Sequence, residues 1–375
     1  MSLVLFTVTT DLNYDQRMQR ICGSLARHGY DVLLVGRALP HSLPLAVQPY
    51  RQHRLRCWYT KGKLFYLEFN LRLLFFLLRQ QAAVWCAIDL DTALPVWMRA
   101  KLGGQPFVYD AHELFTEVPE VVNRPLVQRA WQLVERFVVP RATRAYTVGP
   151  ALAQLFERQY GQPFEVIRNI SRLTEQALPP APLAAPATGY ILYQGVLNAG
   201  RGLEALLDAM PQVAGKLVLC GEGDLSAELR ERAATLGLLA SGKVEFRGYV
   251  LPEQLREVTR HAAVGVMLLE KQGLSYYYSL ANKFFDYLHA GVPQIIVDFP
   301  EYRQLNEQYK VAEVVTLTPD SIATALNRLL RDEPARYHQL AVNCRHARLE
   351  LNWQREEQRL LALYAKLIKP QPLPA

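Results

Sequence analysis

The chain has 375 residues, half of them hydrophobic and 21% charged, with a formal net charge of +7. That balance describes a globular protein with sizeable cores, better divided into two domains than held in one. Its five cysteines, Cys22, Cys57, Cys86, Cys220 and Cys344, are odd in number and have no CxxC spacing, which argues against a zinc or disulfide framework and for a reducing compartment.

The opening M-S-L-V-L-F-T-V has no basic region ahead of a long apolar core, so it is read as a first strand and not a signal peptide, and a cytoplasmic location is expected. Residues 3–8 predict that strand, 16–28 a helix stopped by Gly29, and 31–35 a second strand. Residues 51–79 then carry seven basic groups (Arg51, Arg54, Arg56, Lys61, Lys63, Arg72, Arg79) against the single acid Glu68. The later part, L-F-Y-L-E-F-N-L-R-L-L-F-F-L-L, is 15 residues long and broken by Glu68, Asn70 and Arg72, too short and too polar to span a bilayer. Two readings stay open. The segment lies on an anionic membrane surface, at the inner face of the plasma membrane, as basic aromatic amphipathic segments do; or it is an internal helix with its basic residues on a solvated loop. No nucleic-acid motif accompanies the charge, so nucleic acid is not expected as a partner.

Strands follow at 84–88, 107–109, 144–148 and 164–167, alternating with helices at 91–102, 126–139 and 151–160, which implies a parallel, doubly wound α/β sheet. Residues 178–187, L-P-P-A-P-L-A-A-P-A, cannot hold a regular element. The domains are accordingly drawn as 1–175, a linker 176–188, and 189–350. In the second domain strands are predicted at 190–193, 216–220, 244–247, 263–269 and 294–297, and helices at 202–210, 226–236, 252–260 and 321–330, before a last amphipathic helix at 353–368. In such sheets ligands bind outside the carboxyl ends of the strands, so the site is expected between the two domains.

Three stretches carry chemistry. In Y-Q-G-V-L-N-A-G-R-G-L-E, Gly195, Gly200 and Gly202 let the backbone approach a ligand, and Arg201 offers a fork suited to phosphate. C-G-E-G-D, with Gly221 and Gly223, is a second glycine-rich turn after a strand, but Ser226 stands where a dinucleotide fingerprint needs its third glycine, and no acid ends the next strand; a dehydrogenase is disfavoured. In 270–293 a polar aromatic loop leads into a helix that buries Phe284, Phe285 and Leu288 and stops at Gly291. Asn282, Lys283 and Asp286 fall at or just inside its start, where the helix dipole and a lysine make an anion site, or an Asn cap and a solvated lysine make an ordinary helix.

Taken together these residues resemble the retaining glycosyltransferases of the GT-B fold, family 4, over nearly the whole chain. The resemblance implies two Rossmann-like domains facing across a cleft, with the C-terminal helix, about 353–375, crossing back to an acceptor-binding N-terminal domain. It implies that Arg201 contacts the donor diphosphate beside Gly195, Gly200, Gly221 and Gly223, that Tyr249 and Val250 frame the base, and that Tyr278, Ser279, Leu280, Asn282, Lys283 and Asp286 form the signature before the acidic-Tyr pair. Asp110-Ala-His112-Glu113 is similar to the family's histidine loop, with His112 on donor sugar or phosphate. Asp15 and Arg17, in an Asp-x-Arg seen in relatives, line the acceptor side with Glu113; otherwise they cap the following helix. Three positions depart from the family. Asp286 stands at the second of its paired glutamates and Tyr278 at the first, and Val196 replaces a common arginine. Asp89-Leu-Asp91 spells D-x-D but lies in the other half, and no metal is expected. The implied reaction is transfer from a nucleotide-diphosphate sugar, UDP before GDP, to a glycan or lipid-linked acceptor, with Arg201, Lys283 and His112 as catalytic groups and no cofactor beyond that co-substrate. The alternatives are a nucleotide-sugar epimerase of the same fold and a degenerate nucleotide-sugar-binding protein without activity.

Overall fold

A computed structural model describes residues 3–174 and 182–368. The chain forms two compact units, Met1–Arg168 joined by Glu356–Ala375, and Asn169–Arg355. The connection expected at 176–188 lies outside the described residues up to 181, and 182–189 carries no helix or strand.

The first unit holds a seven-stranded sheet of β1 (Leu3–Thr7), β2 (Asp31–Ala38), β3 (Arg51–Arg56), β4 (Val84–Ile88), β5 (Phe107–Ala111), β6 (Arg144–Thr147) and β7 (Phe164–Val166), in the order β3-β2-β1-β4-β5-β6-β7. Every pairing is parallel. Strands β1, β4 and β5 are buried along their whole length, as inner strands of a parallel sheet are. Strand β3 lies in the basic segment and carries no sequence signal beyond Leu55. Its guanidinium groups are acceptable because it is an edge strand, where charge also discourages pairing with another chain. Arg51 pairs with Asp31 and Arg54 with Asp11, so the first part of this segment is sheet and not solvated loop. The apolar part is a helix, Gly62–Leu78.

The last helix, Trp353–Ala365, is split between the units. In the first, Tyr364 is fully buried with its hydroxyl 3.3 Å from the Cys86 thiol, and Glu356 takes hydrogen bonds from the Arg168 backbone N–H (3.0 Å) and its guanidinium (3.2 Å). In the second, the Trp353 N–H donates to the Ser171 carbonyl at 3.1 Å.

The second unit holds a six-stranded parallel sheet of β8 (Tyr190–Gln194), β9 (Leu217–Cys220), β10 (Val244–Gly248), β11 (Ala262–Met267), β12 (Gln294–Val297) and β13 (Ala312–Val315), in the order β10-β9-β8-β11-β12-β13. Strand β13 and the helices Pro300–Tyr309 and Pro334–Glu350 were not anticipated. The strand is only A-E-V-V, and the Pro334–Glu350 helix buries Tyr337 and Leu340 together with the small Ala341, Cys344 and Ala347 and the charged Arg348, a mixed face with little hydrophobic contrast to read.

The helix Asn282–Ala290 is fixed to this sheet at a glycine. A Cβ on Gly265 would fall on the Tyr287 ring, so the missing side chain lets the phenol lie flat against β11, where its hydroxyl donates to the Leu192 carbonyl at 2.8 Å. Ala281 precedes the helix and its N–H donates to the Tyr302 hydroxyl at 3.0 Å; Asn282 is the first helical residue, not the cap. Gly265→Ala should overpack this contact and cost about 1–3 kcal/mol of stability, measured by urea unfolding, with Val264→Ala as the ordinary core comparison.

Candidate functional site

In the second unit the strand order reverses between β8 and β11, the position outside whose carboxyl ends parallel sheets bind ligands. Strand β8 is followed by the 195–202 loop and β11 by residues 268–281. Gly195 has φ 131° and Gly221, after β9, has φ 142°; a Cβ on Gly221 would strike the Gly195 carbonyl oxygen. Only glycines permit this approach, which leaves bare backbone at the end of the sheet. The Gly221 N–H donates to Gly248 O at 2.7 Å and the Asp224 N–H to the Asn198 side chain at 3.0 Å, so the two turns support each other. Gly200 accepts from the Glu270 N–H at 3.0 Å, tying the loop after β8 to the loop after β11.

Two cations stand in this backbone frame. The Arg201 guanidinium lies over the Tyr276 ring, 4.9 Å from its centre, and its buried Nε has no hydrogen-bond partner. The Lys283 ammonium sits 3.9 Å over the centre of the Tyr193 ring and 3.5 Å from where a Cβ on Gly195 would stand. Among the described residues neither forms an ion pair. Burial and the nearby Arg201 charge lower the Lys283 pKa to about 7, against the raising effect of Asp286. Two positive groups brought this close repel each other, and a neighbouring anion would relieve that repulsion. Asp286 is aimed by Gln194, whose amide donates to it at 3.0 Å while the amide oxygen accepts from Thr259 at 2.8 Å.

The other expected residues are distributed less simply. Leu280 packs its side chain in the core, so only its backbone reaches outward, and the Ser279 hydroxyl donates to the Tyr276 carbonyl at 2.8 Å. Tyr278 ends the short helix Leu274–Tyr277 and stands edge-on to Tyr277. Tyr249 is 75% exposed just beyond β10, with Val250 packed partly on the core beside it. Asn282 is exposed at the helix start.

The first unit gathers a second polar group, again where its strand order reverses, between β1 and β4, and on the adjacent β5. His112 has its Nε2 3.1 Å from Asp110 and its Nδ1 3.7 Å from Asp89, and its backbone N–H donates to Asp89 at 2.8 Å. Burial alone would lower the imidazole pKa, but Asp110 and Asp89 outweigh it and raise it. Arg17, expected on the acceptor side, is instead buried: it donates to Asp110 at 2.8 Å and to the Ile167 carbonyl at 3.0 Å. It therefore acts on Asp110 and cannot line an acceptor surface. Asp15 caps the Gln16–Arg27 helix, accepting from the Met18 N–H at 3.0 Å and from the Thr10 hydroxyl at 2.8 Å, while Glu113 is exposed. Burial pushes Asp89 up to about 8 and Asp91 to about 6, the latter against a hydrogen bond from Thr9. Among the described residues no three or more His, Cys, Asp or Glu are grouped to hold a metal ion.

Gln194, Thr259, Tyr193 and Tyr276 were missed in the sequence, as was the use made of Asp89. The signal available for Gln194 was a polar residue closing the apolar run Y-I-L-Y, where a parallel strand presents its end to ligand. Asp89 had no signal, because its special feature is backbone: φ 53° and ψ −177°, a region nearly reserved for glycine and costing about 1–3 kcal/mol. Asp89→Gly and Asp89→Ala both delete the carboxylate, but only glycine adopts this conformation freely. The alanine variant should be the less stable by about 1 kcal/mol in urea unfolding; equal stabilities would show that no strain is stored there.

Residues 14–170 match the family model for the "Glycosyl transferase 4-like domain" and residues 188–332 that for "Glycosyl transferases group 1". No curated protein sequence matches the chain. Among solved structures it is similar to a sucrose-phosphate synthase from Thermosynechococcus elongatus (18% identity, 98% of this chain and 99% of that one, TM-score 0.78). It is also similar to Anabaena HepE in complex with UDP and glucose (13%, 98% and 100%, 0.73) and to a glycosyltransferase from Rickettsia africae (11%, 99% and 99%, 0.72). At these identities the structures establish the fold, and the two family models establish membership. The chain belongs to the group 1 glycosyl transferases, a glycosyltransferase whose two Rossmann-like units are those of the GT-B fold.

Proposed function

We propose that the protein transfers a sugar from a UDP-sugar, in preference to a GDP-sugar, to a glycan or lipid-linked acceptor of the cell envelope at the cytoplasmic face of a membrane. Transfer proceeds with retention of anomeric configuration and without a metal ion. The observation that carries this reading is the pair of cations, Arg201 and Lys283, held beside bare glycine backbone without acid partners among the described residues. A departing nucleoside diphosphate is a concentrated negative charge. Positive groups already fixed where that charge develops stabilise the transition state more than any other device open to such a catalyst. The start of the Asn282–Ala290 helix adds its free N–H groups and dipole to the same anion. The complex of HepE with UDP and glucose supports the choice of UDP.

On this reading Asp286, oriented by Gln194, accepts the ribose hydroxyls, and the base rests by the backbone at Tyr249 and Val250. With Tyr278 in place of a carboxylate, the donor sugar is met by the 279–282 backbone and Asn282. The acceptor hydroxyl attacks from the face the diphosphate leaves, and the departing phosphate oxygen takes its proton, so no protein nucleophile is required. His112, held by Asp110 and Asp89, supplies a positively charged donor to the sugar or phosphate, and Asp15 and Glu113 belong to the acceptor side.

Arg201→Ala should lower transfer about 10²–10³-fold while the unfolding midpoint stays near wild type; near-normal turnover would remove the assignment. Incubation with labelled UDP- and GDP-sugars, with and without envelope lipid extract, separates the alternatives: lipid-dependent transfer supports the proposal, epimerised donor an epimerase, and binding without turnover an inactive binder. Lys283 adds a pH signature. Its pKa of about 7 should rise when diphosphate binds beside it, so above neutral pH binding must take up a proton. UDP affinity should therefore fall as pH rises from 7 to 9. Calorimetry at pH 8 in buffers of different ionisation enthalpy should register proton uptake that Lys283→Met abolishes.

A further inference from the structure

The Gly62–Leu78 helix is apolar on two opposite faces. Phe65, Phe69, Leu73 and Leu77 recur every four residues and are buried against the first unit. On the opposite side Leu64, Leu67, Leu71, Phe75 and Leu78, spaced three or four apart, form a continuous stripe left in solvent, with Leu67 and Phe75 each 59% exposed. The polar residues that interrupt the run in sequence do not interrupt this stripe. Glu68 accepts the Trp58 and Tyr59 N–H groups at 2.9 and 3.0 Å and pairs with Arg72 at 2.7 Å. Asn70 donates to the Tyr66 and Asp91 carbonyls at 2.8 and 2.9 Å. An ordinary surface helix turns its polar residues outward; here they are consumed by the protein's own backbone and neighbours while leucines face water.

Exposed cations border the stripe. Arg56, Lys61, Lys63 and Arg79 are exposed and have no acid partner among the described residues. Trp58, 85% exposed, and Tyr59 stand ahead of the helix. No described helix is long and apolar enough to cross a membrane, and this one has 17 residues. We propose that the outer stripe of the Gly62–Leu78 helix is a docking face for an anionic lipid surface, on which the helix lies in the interfacial plane. Its leucines and Phe75 enter the acyl boundary, Trp58 and Tyr59 sit at headgroup depth, and the cations meet lipid phosphates. A second copy of the chain fits this face less well, because pairing two such helices would bring the cations of both against one another without an opposing charge. The proposal rests on the envelope-acceptor reading above and gives it a physical surface, yet it is measured separately from it.

The test is co-sedimentation of the full chain, without sugar nucleotide, with phosphatidylcholine vesicles and with vesicles in which about a third of the lipid is phosphatidylglycerol. Binding is expected to the anionic vesicles, weakened severalfold by 0.5 M salt, by roughly the effect of screening several lysine and arginine contacts, and by Lys61→Gln/Lys63→Gln. Leu67→Glu/Leu71→Glu/Phe75→Glu should abolish it while the near-ultraviolet circular dichroism and UDP affinity remain those of the wild type. Retained vesicle binding in this triple variant would overturn the proposal. So would a concentration-dependent wild-type dimer that the same substitutions disperse, seen with no sedimentation on anionic lipid. Because the assay contains no donor, its failure leaves donor turnover intact, whereas loss of donor turnover with vesicle binding kept strikes the transferase reading alone.

Discussion

The second unit depends on one packing contact, the Tyr287 ring laid on Gly265. The absent side chain brings the helix against β11 closely enough for the phenol to reach the Leu192 carbonyl, and that contact sets where the start of the helix lies. Lys283 and Asp286 are about one turn or less from this anchor, and their separate surroundings follow from it. Lys283 is directed over Tyr193 and under the Gly195 backbone, and Asp286 against Gln194. An ammonium placed in so confined and so positive a neighbourhood loses much of its preference for the charged form. Two cations held this closely repel each other, which an anion between them would relieve; on the proposed reading that anion is the leaving diphosphate.

The first unit meets the opposite problem, a concentration of carboxylates at the ends of β4 and β5. It solves it by pairing. Arg17 neutralises Asp110 from below, and Asp110 with Asp89 keeps the imidazole of His112 protonated more readily than it would be in water. Asp89 reaches the His112 N–H only by taking a backbone conformation that disfavours any side chain, so strain is accepted in exchange for orientation. Both units thus place their charged groups at the reversal of strand order, for a common reason: strand ends on either side diverge there and leave room between the loops.

Much of this was legible in the chain. Apolar runs such as L-V-L-F-T and A-A-V-G-V-M predict buried parallel strands because strands covered on both faces need no alternation, and Gly291 and the Gly195 loop mark their turns directly. The elements that escaped were those whose stability comes from context. Strand β3 is R-Q-H-R-L-R and pairs only because an edge was open beside β2, and the Pro334–Glu350 helix buries a mixed face, from Tyr337 and Leu340 to Ala347 and Arg348, that carries little signal. Of the residues expected at the site, Arg201, Lys283, Asp286 and His112 stand at strand or helix ends, where type and position together suggest a role. Leu280 and Arg17 could not be read this way, since burial of one and pairing of the other depend on neighbours far away in sequence.

By itself the sequence determined the two-sheet α/β architecture, the glycine turns, the unpaired cysteine pattern and the excess of positive charge at 51–79, all of which follow from local residue pattern and composition. It left that segment divided between a membrane-surface helix and an internal one. Only the tertiary structure decided that it is an edge strand followed by a helix whose polar breaks bond back to the chain's own groups, because which face a helix presents depends on what the rest of the chain places against the other. The same holds for Lys283: its identity was plain, but the low-dielectric, positively charged surroundings that set its protonation exist only once Tyr193, Arg201 and Gly195, distant along the chain, have been brought around it.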